Sequence, residues 1–172
     1  MCDVTAEPKR MSRLLRSVQI PPFQDFLETN RISVYRFLVA AVGAGDADDC
    51  FQETFISALR AYPRVSEAER LDRWVLKIAS RKAIDHHRAR ARRPVATDAL
   101  PEIAEPPPRL STTDEAVWAA VGTLPPRQRV AVVHRHVFDR SYAEIADLMA
   151  CTEQTARANV SLGVRALREM MA

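Results

Sequence analysis

Glycine is scarce, with 4 in 172 residues. Phosphate-cradling loops need glycine where the backbone closes on the ligand. Neither GxxxxGK[ST] nor GxGxxG occurs, so the nucleotide-binding folds are set aside. Cysteine is sparse too. Cys2, Cys50 and Cys151 are odd in number, far apart and in no CxxC pair. That pattern fits free thiols in a reducing cytoplasm, not a disulfide framework or a zinc site. No apolar run approaches the ~18 residues that cross a bilayer, and MCDVTAEPKR lacks the apolar stretch of a secretory signal. A cytoplasmic chain with no membrane insertion is expected. All four histidines lie in His86-His87 and His134-x-His136. Neighbours one or two apart do not share a helix face, and no third ligand stands at metal-site spacing. The chain therefore does not read as an enzyme: no catalytic residue, metal or cofactor is expected.

What is present is helix-forming and globular, 47% hydrophobic and 27% charged. Net charge is only +3, but the charge is segregated. Carboxylates gather at Asp46–Glu53, while arginine concentrates in 70–93 and 127–168. Such segregation permits one face for a polyanion and another for a basic partner. The stretch Leu71–Arg93 shows it best. Leu71, Trp74, Val75, Ile78 and Ala79 recur at helical spacing as one apolar stripe, which fades beyond Ala79. Arg70, Arg73, Lys77, Arg81 and Arg88 form a second stripe about a third of a turn away, and the segment ends in Arg90, Arg92 and Arg93.

Upstream, residues 1–19 carry no firm pattern, and Met11 is an alternative start. Helical patterns follow at Phe23–Leu27 and at Val34–Val42, the latter ended by Gly43 and Gly45. Asp46-Ala-Asp-Asp49 opens a third helix, its carboxylates favoured by the positive end of the helix dipole. Phe51, Phe55 and Leu59 are expected on its buried side, with Ile56 and Ala58 nearby. Ser66-Glu-Ala-Glu69 reads as a capping box ahead of the basic helix. Pro94–Ser111 then holds five prolines with Asp98, Glu102 and Glu105 and almost no periodicity, the composition of an extended acidic linker.

Beyond it, Thr113–Val121 and Arg127–Val137 read as helices, the second with Val130, Val133, His134 and Val137 inward. Ser141-Tyr-Ala-Glu144 is another capping box, opening a short helix with Ile145, Ala146, Leu148 and Met149 inward. Ala150-Cys151 makes a turn, and Thr152 caps a last helix with Ala156, Val160, Gly163, Val164 and Leu167 on one face. Helix, tight turn and longer helix at this spacing make a helix-turn-helix. Its outward face carries Gln154, Ala158, Ser161, Leu162 and Arg165, edged by Arg157 and Arg168. The expected fold is all-α, with two small helical domains (20–93 and 113–172) joined by a Pro-rich acidic linker at 94–112.

Four strings, in order, resemble the extracytoplasmic-function group of bacterial RNA polymerase sigma factors. Asp46-Ala-Asp-Asp-Cys-Phe-Gln-Glu-Thr-Phe55 is similar to the group's DAED-x-x-QETF segment. Trp74-Val-Leu-Lys-Ile-Ala79 with Ile84-Asp85 is similar to WLxxIAxNxxID. Leu124-Pro-Pro-Arg-Gln-Arg129 and Ser141-Tyr-Ala-Glu-Ile-Ala146 are similar to LPxRQR and SYxEIA. The resemblance spans about residues 23–169. It implies a non-catalytic factor that binds core RNA polymerase and directs it to promoter DNA, and it makes an anti-sigma protein an expected partner.

By the same resemblance, Asp46, Asp49, Gln52, Glu53 and Phe55 would dock on the clamp coiled coil of the largest polymerase subunit. Arg73, Lys77, Arg81, Arg88, Arg90, Arg92 and Arg93 would hold the minus-ten element. A base flipped from the opened strand would enter a pocket near the Pro63–Arg70 loop. Thr152, Gln154, Thr155, Arg157, Ala158, Ser161 and Arg165 would face the minus-thirty-five element in the major groove. There Gln154 suits adenine, and Arg157 or Arg165 suits guanine or phosphate. The acidic linker would follow the RNA exit path. The chain departs from the group where Arg81 replaces the usual asparagine of the minus-ten helix, and where Ala158, Asn159 and Leu162 replace polar positions of the last helix. The alternative is a dimeric helix-turn-helix regulator acting without polymerase, which gives 141–168 a task but leaves the acidic string and basic helix without one.

Overall fold

A computed structural model of the chain describes residues 20–65, 70–92 and 112–171. Seven helices account for nearly all of them: α1 (Phe23–Val42), α2 (Ala44–Ala61), α3 (Leu71–Arg92), α4 (Thr112–Thr123), α5 (Pro126–His136), α6 (Tyr142–Leu148) and α7 (Glu153–Met171). A 3-10 turn, Tyr62–Arg64, follows α2. The Pro-rich segment, Arg93 and the Ser66–Glu69 capping box lie outside the described residues.

The first three helices pack on one another around Phe26, Val34, Phe37, Leu38, Val75 and Ala79. The two helical segments expected at 23–42 are one continuous helix. Asn30, which interrupts the apolar pattern, is buried and donates its side-chain amide to the Phe26 carbonyl at 2.8 Å. Gly43 ends α1 with φ 92°, a left-handed conformation that side chains disfavour, and its N–H returns to the Val39 carbonyl. At the base of the bundle, Trp74 is half-buried and packs on Phe26 and Tyr62, with ring centroids 5.8 and 6.1 Å away.

The buried side of α2 differs in part from the expected one: Phe55 is buried and Phe51 packs on the core as expected. Ala47, Cys50, Thr54, Phe55 and Ala58 face in, whereas Leu59 is 53% and Ile56 49% exposed. Small residues line the contact, which lets α2 lie close to α1 and α3. Thr54 satisfies its hydroxyl on the Cys50 carbonyl at 2.7 Å.

In the C-terminal half, α5, α6 and α7 pack together with α4 against α7. The Ser141 box forms: the Glu144 N–H donates to Ser141 Oγ at 3.3 Å, and the Ser141 N–H donates to Glu144 Oε2 at 3.0 Å. Ile145, Ala146, Leu148 and Met149 are buried as expected. Ala150, at φ 48°, turns the chain, and Thr152 Oγ1 accepts the Thr155 N–H at 3.1 Å at the start of α7. Val137, expected inward, lies at the end of α5 and is 46% exposed.

The two halves share a core. Helix α5 lies against α1 and α3, α6 against α3, and α4 against α1. His134 of α5 stacks on Phe37 of α1, centroids 4.5 Å apart and rings 14° from parallel. Its Nε2 is 2.9 Å from Ser80 Oγ on α3. Burial on α3 continues past Ala79 to Ser80, Ala83 and Ile84, although the apolar stripe fades there.

Candidate nucleic-acid interface

Two charged surfaces and one exposed helix face make up the candidate site. On α2, Asp49, Gln52 and Glu53 point outward one turn apart and are exposed. Asp46, in the first turn, is only 30% exposed; its Oδ2 accepts from Arg90 at 2.6 Å and lies 3.1 Å from His86 Nε2. Glu53 pairs with Lys82 at 3.1 Å. Phe55 does not belong to this surface. It is 6% exposed and packs on Phe26 and Phe51, because position 55 falls on the helix side that meets α1 and α3. The apolar groups on the outer flank are Ile56 and Leu59.

On α3, Arg81, Arg88, Arg90 and Arg92 are exposed, while Arg73 and Lys77 face the second half of the chain. Arg73 donates to Glu144 Oε1 at 2.9 Å, and Lys77 Nζ to Asp147 Oδ1 at 2.8 Å. Arg93 lies outside the described residues. A hollow of about 680 Å³ opens between Ile20–Phe23 and Tyr62–Val65, beside the loop expected to hold a flipped base.

On α7, Gln154, Ala158, Ser161 and Arg165 are exposed, Leu162 is 42% exposed, and Thr155 is partly covered. Arg157 donates to Glu153 at 2.7 Å, and its guanidinium lies 4.3 Å from the Tyr142 ring centroid. Arg135 approaches the same ring at 5.3 Å. Stacking on an aromatic face orients a guanidinium without neutralising it. Tyr142 thus fixes where Arg157 stands beside the exposed side of α7.

Sequence reasoning missed Tyr142, Glu144 and Asp147. Glu144 was visible as a capping residue only, and nothing local marks Asp147 as the partner of a lysine 70 residues earlier. Glu144 is held in its charged form, its carboxyl below the usual range. The Ser141 N–H and hydroxyl donate to it, and the Arg140 and Arg73 charges reinforce them. Arg129, near Asp46, is 8% exposed; burial draws its guanidinium down to about 10, so it stays charged at neutral pH. Among the described residues no group of three potential ligands is placed to hold a metal ion. None of the described helices is long and apolar enough to cross a membrane.

A bundle with an acidic outer helix and a basic third helix, joined to a helix-turn-helix, defines a two-module DNA-binding protein of the transcription machinery. Residues 26–93 match the family model for sigma-70 region 2, and residues 114–167 match the one for sigma-70 region 4. The chain belongs to the extracytoplasmic-function group of RNA polymerase sigma factors and serves in promoter-specific transcription initiation. It is 32% identical over 140 residues to the sigma factor SigC of Mycobacterium tuberculosis, covering 79% of this chain and 76% of SigC. Against the sigma-E factor of Escherichia coli K12 it is 30% identical over 134 residues, covering 69% and 70%. The fold is similar to that of RpoE, solved with the anti-sigma factor NepR from Bartonella quintana. The TM-score there is 0.67 at 20% identity, covering 87% of this chain and 96% of RpoE. CnrH, solved with the cytosolic domain of CnrY, gives 0.61 at 17% identity, covering 87% and 86%.

Proposed function

We propose that the work is divided among three faces. The outer side of α2, with Asp49, Gln52 and Glu53 flanked by Ile56 and Leu59, docks on the clamp coiled coil of core polymerase. The basic residues of α3 hold the minus-ten element as it opens, and α7 enters the major groove at the minus-thirty-five element. The observation that carries this reading is the segregation of charge on adjacent helices of one bundle. Exposed carboxylates beyond the first turn of α2 exceed what capping needs, and exposed arginines continue down α3 past its anchored half. Both halves have a task, whereas a dimeric regulator would use only 141–168.

Arginines along a phosphate backbone supply sequence-independent affinity by releasing counterions. Arg81, exposed on the same stripe, adds to that grip where relatives place asparagine, so base preference here is the chain's own. On α7, Gln154 and Arg157 remain as readers of base edges, and Leu162 offers an apolar contact suited to a thymine methyl. The setting is the cytoplasm, where polymerase works, and an anti-sigma protein such as those bound to RpoE and CnrH is an expected regulator. Purified chain should bind core polymerase at physiological salt and start transcription from a cognate promoter; no binding would sink the assignment. Asp49→Lys with Glu53→Lys should abolish core binding while leaving the fold intact by circular dichroism. Undiminished binding would return those carboxylates to capping.

A further inference from the structure

The outward side of α7 is uncharged at its middle. Ala158, Ser161 and Leu162 are all exposed there, Leu162 at 42%. The polar and charged side chains stand around them. Gln154 lies one turn earlier, and Arg165 two turns past Ala158, 3.8 Å from Glu169. Arg157 is held at one edge by Glu153 at 2.7 Å and by the Tyr142 ring. Asn159 turns its amide back to the Thr155 carbonyl at 2.8 Å, away from the outward side. Ala158 and Leu162 are four residues apart, so their Cβ atoms lie about 5–6 Å from each other on neighbouring turns. Base pairs rise ~3.4 Å, so that span covers two of them.

An alanine and a leucine have no donor for the O6 and N7 of guanine and no acceptor for the N4 amine of cytosine. A G·C pair facing them would lose water from its polar edge and gain no partner. The C5 methyl of thymine is the apolar group in the major groove, and contact with it removes apolar surface of both partners from water. The short side chains at 158 and 161 let the helix come close to the base edges, which brings the longer Leu162 within reach of them.

We propose that Ala158 and Leu162 read the C5 methyls of two neighbouring thymines, so that the centre of this protein's minus-thirty-five element is chosen by its methyl groups. Leu162 sets the preference, and Ala158 completes the apolar step. The inference deepens the placing of α7 in the major groove and rests on it. Arg157 anchors one edge of the helix, and discrimination at the centre comes from desolvation, with no guanidinium involved.

The test uses holoenzyme, core polymerase with the full chain, on duplexes of one promoter whose minus-thirty-five region is randomised. That promoter is mapped from the 5′ ends of transcripts that appear when the chain is overproduced. Selection should retain two neighbouring thymines. Uracil, which differs from thymine by the methyl alone, should weaken binding about fourfold at either position, the effect of one methyl left unburied. In Leu162→Ala the uracil effect should vanish at one of the two positions, and Leu162→Arg should retain guanine there. Leu162 is exposed, so both variants keep the fold. Uracil equal to thymine at both positions overturns the proposal, as does an undiminished uracil effect in Leu162→Ala. Gln154→Ala and Arg157→Ala then decide what else falls. A retained sequence that shifts in those variants keeps α7 in the groove. One that does not shift, or a window in which no sequence is retained, removes that assignment too.

Discussion

At Gly163, α7 passes close to α5. A Cβ built there would lie 2.6 Å from Val132 Cγ2, with Gln128 Cβ and its carbonyl oxygen at ordinary contact distances of 3.5 and 3.6 Å. Carbon atoms in packed interiors prefer about 3.5–4.0 Å, so one helix would have to move by roughly 1 Å. Val132 is 5% exposed, and a β-branched side chain in a helix has one strongly preferred rotamer, so its methyl has no cheap escape. Two effects oppose each other in Gly163→Ala. Alanine gains about 1 kcal/mol over glycine in a helix interior. Overpacking costs about 1–3 kcal/mol. The net expectation is destabilisation of about 0–2 kcal/mol, read as a lower urea midpoint at unchanged slope. In a Val132→Ala background the clashing methyl is gone, and Gly163→Ala should then stabilise by up to about 1 kcal/mol, a change of sign between backgrounds. Equal effects in both backgrounds would refute the close-approach argument, as would stabilisation with Val132 in place.

Acid should destabilise the packed form. Burial, with Arg140 adding to it, lowers His134 from 6.5 to about 3, so an opened or unfolded chain binds a proton there that the packed form refuses. Stability should fall as pH drops from about 6.5 towards 3, by up to about 5 kcal/mol at ~1.4 per pH unit. His87, also lowered by burial, acts in the same direction. Urea midpoints between pH 7 and 4 check this, and His134→Phe should flatten most of the slope. Ser141→Ala removes the α6 cap and should cost about 0.5–2 kcal/mol in the same assay. Alanine at Arg81 or Arg88 should lower the dependence of holoenzyme–promoter affinity on salt by up to ~0.9 log units per log of salt each. An unchanged slope would mean that they meet solvent, not phosphate.

Much of the architecture was legible because period and caps agree. The Ser141 box, the Thr152 cap and the inward set of α6 are short-range features, and short-range spacing fixes them. The errors have physical causes. The patterns at Phe23–Leu27 and Val34–Val42 looked like two segments, but α1 runs on through Asn30, whose buried amide bonds the carbonyl four residues back and costs the helix no hydrogen bond. Thr54 and Ser80 bury their hydroxyls the same way. Ranking by hydrophobicity placed Leu59 inside α2 and ignored Thr54, whereas a close helix contact favours small residues over large ones. Phe55 entered the docking set through a resembling string, and a string does not say which of its residues face solvent. The contact between the halves could not be read at all. Arg73 and Lys77 are one basic stripe whether they face water, DNA or α6, and local periodicity carries no information about a partner 70 residues away.

That contact also has an order in time. The partners are far apart in the chain, His134 from Phe37 by 97 residues and Glu144 from Arg73 by 71. A ribosome adds roughly 5–20 residues per second, so the 79 residues between Arg92 and Met171 take about 4–16 s. Helices fold far faster than that. The first three therefore assemble with the side of Phe37 that His134 will cover still bare, and with Arg73 and Lys77 unpaired. Each new molecule passes through the uncovered arrangement before it can close.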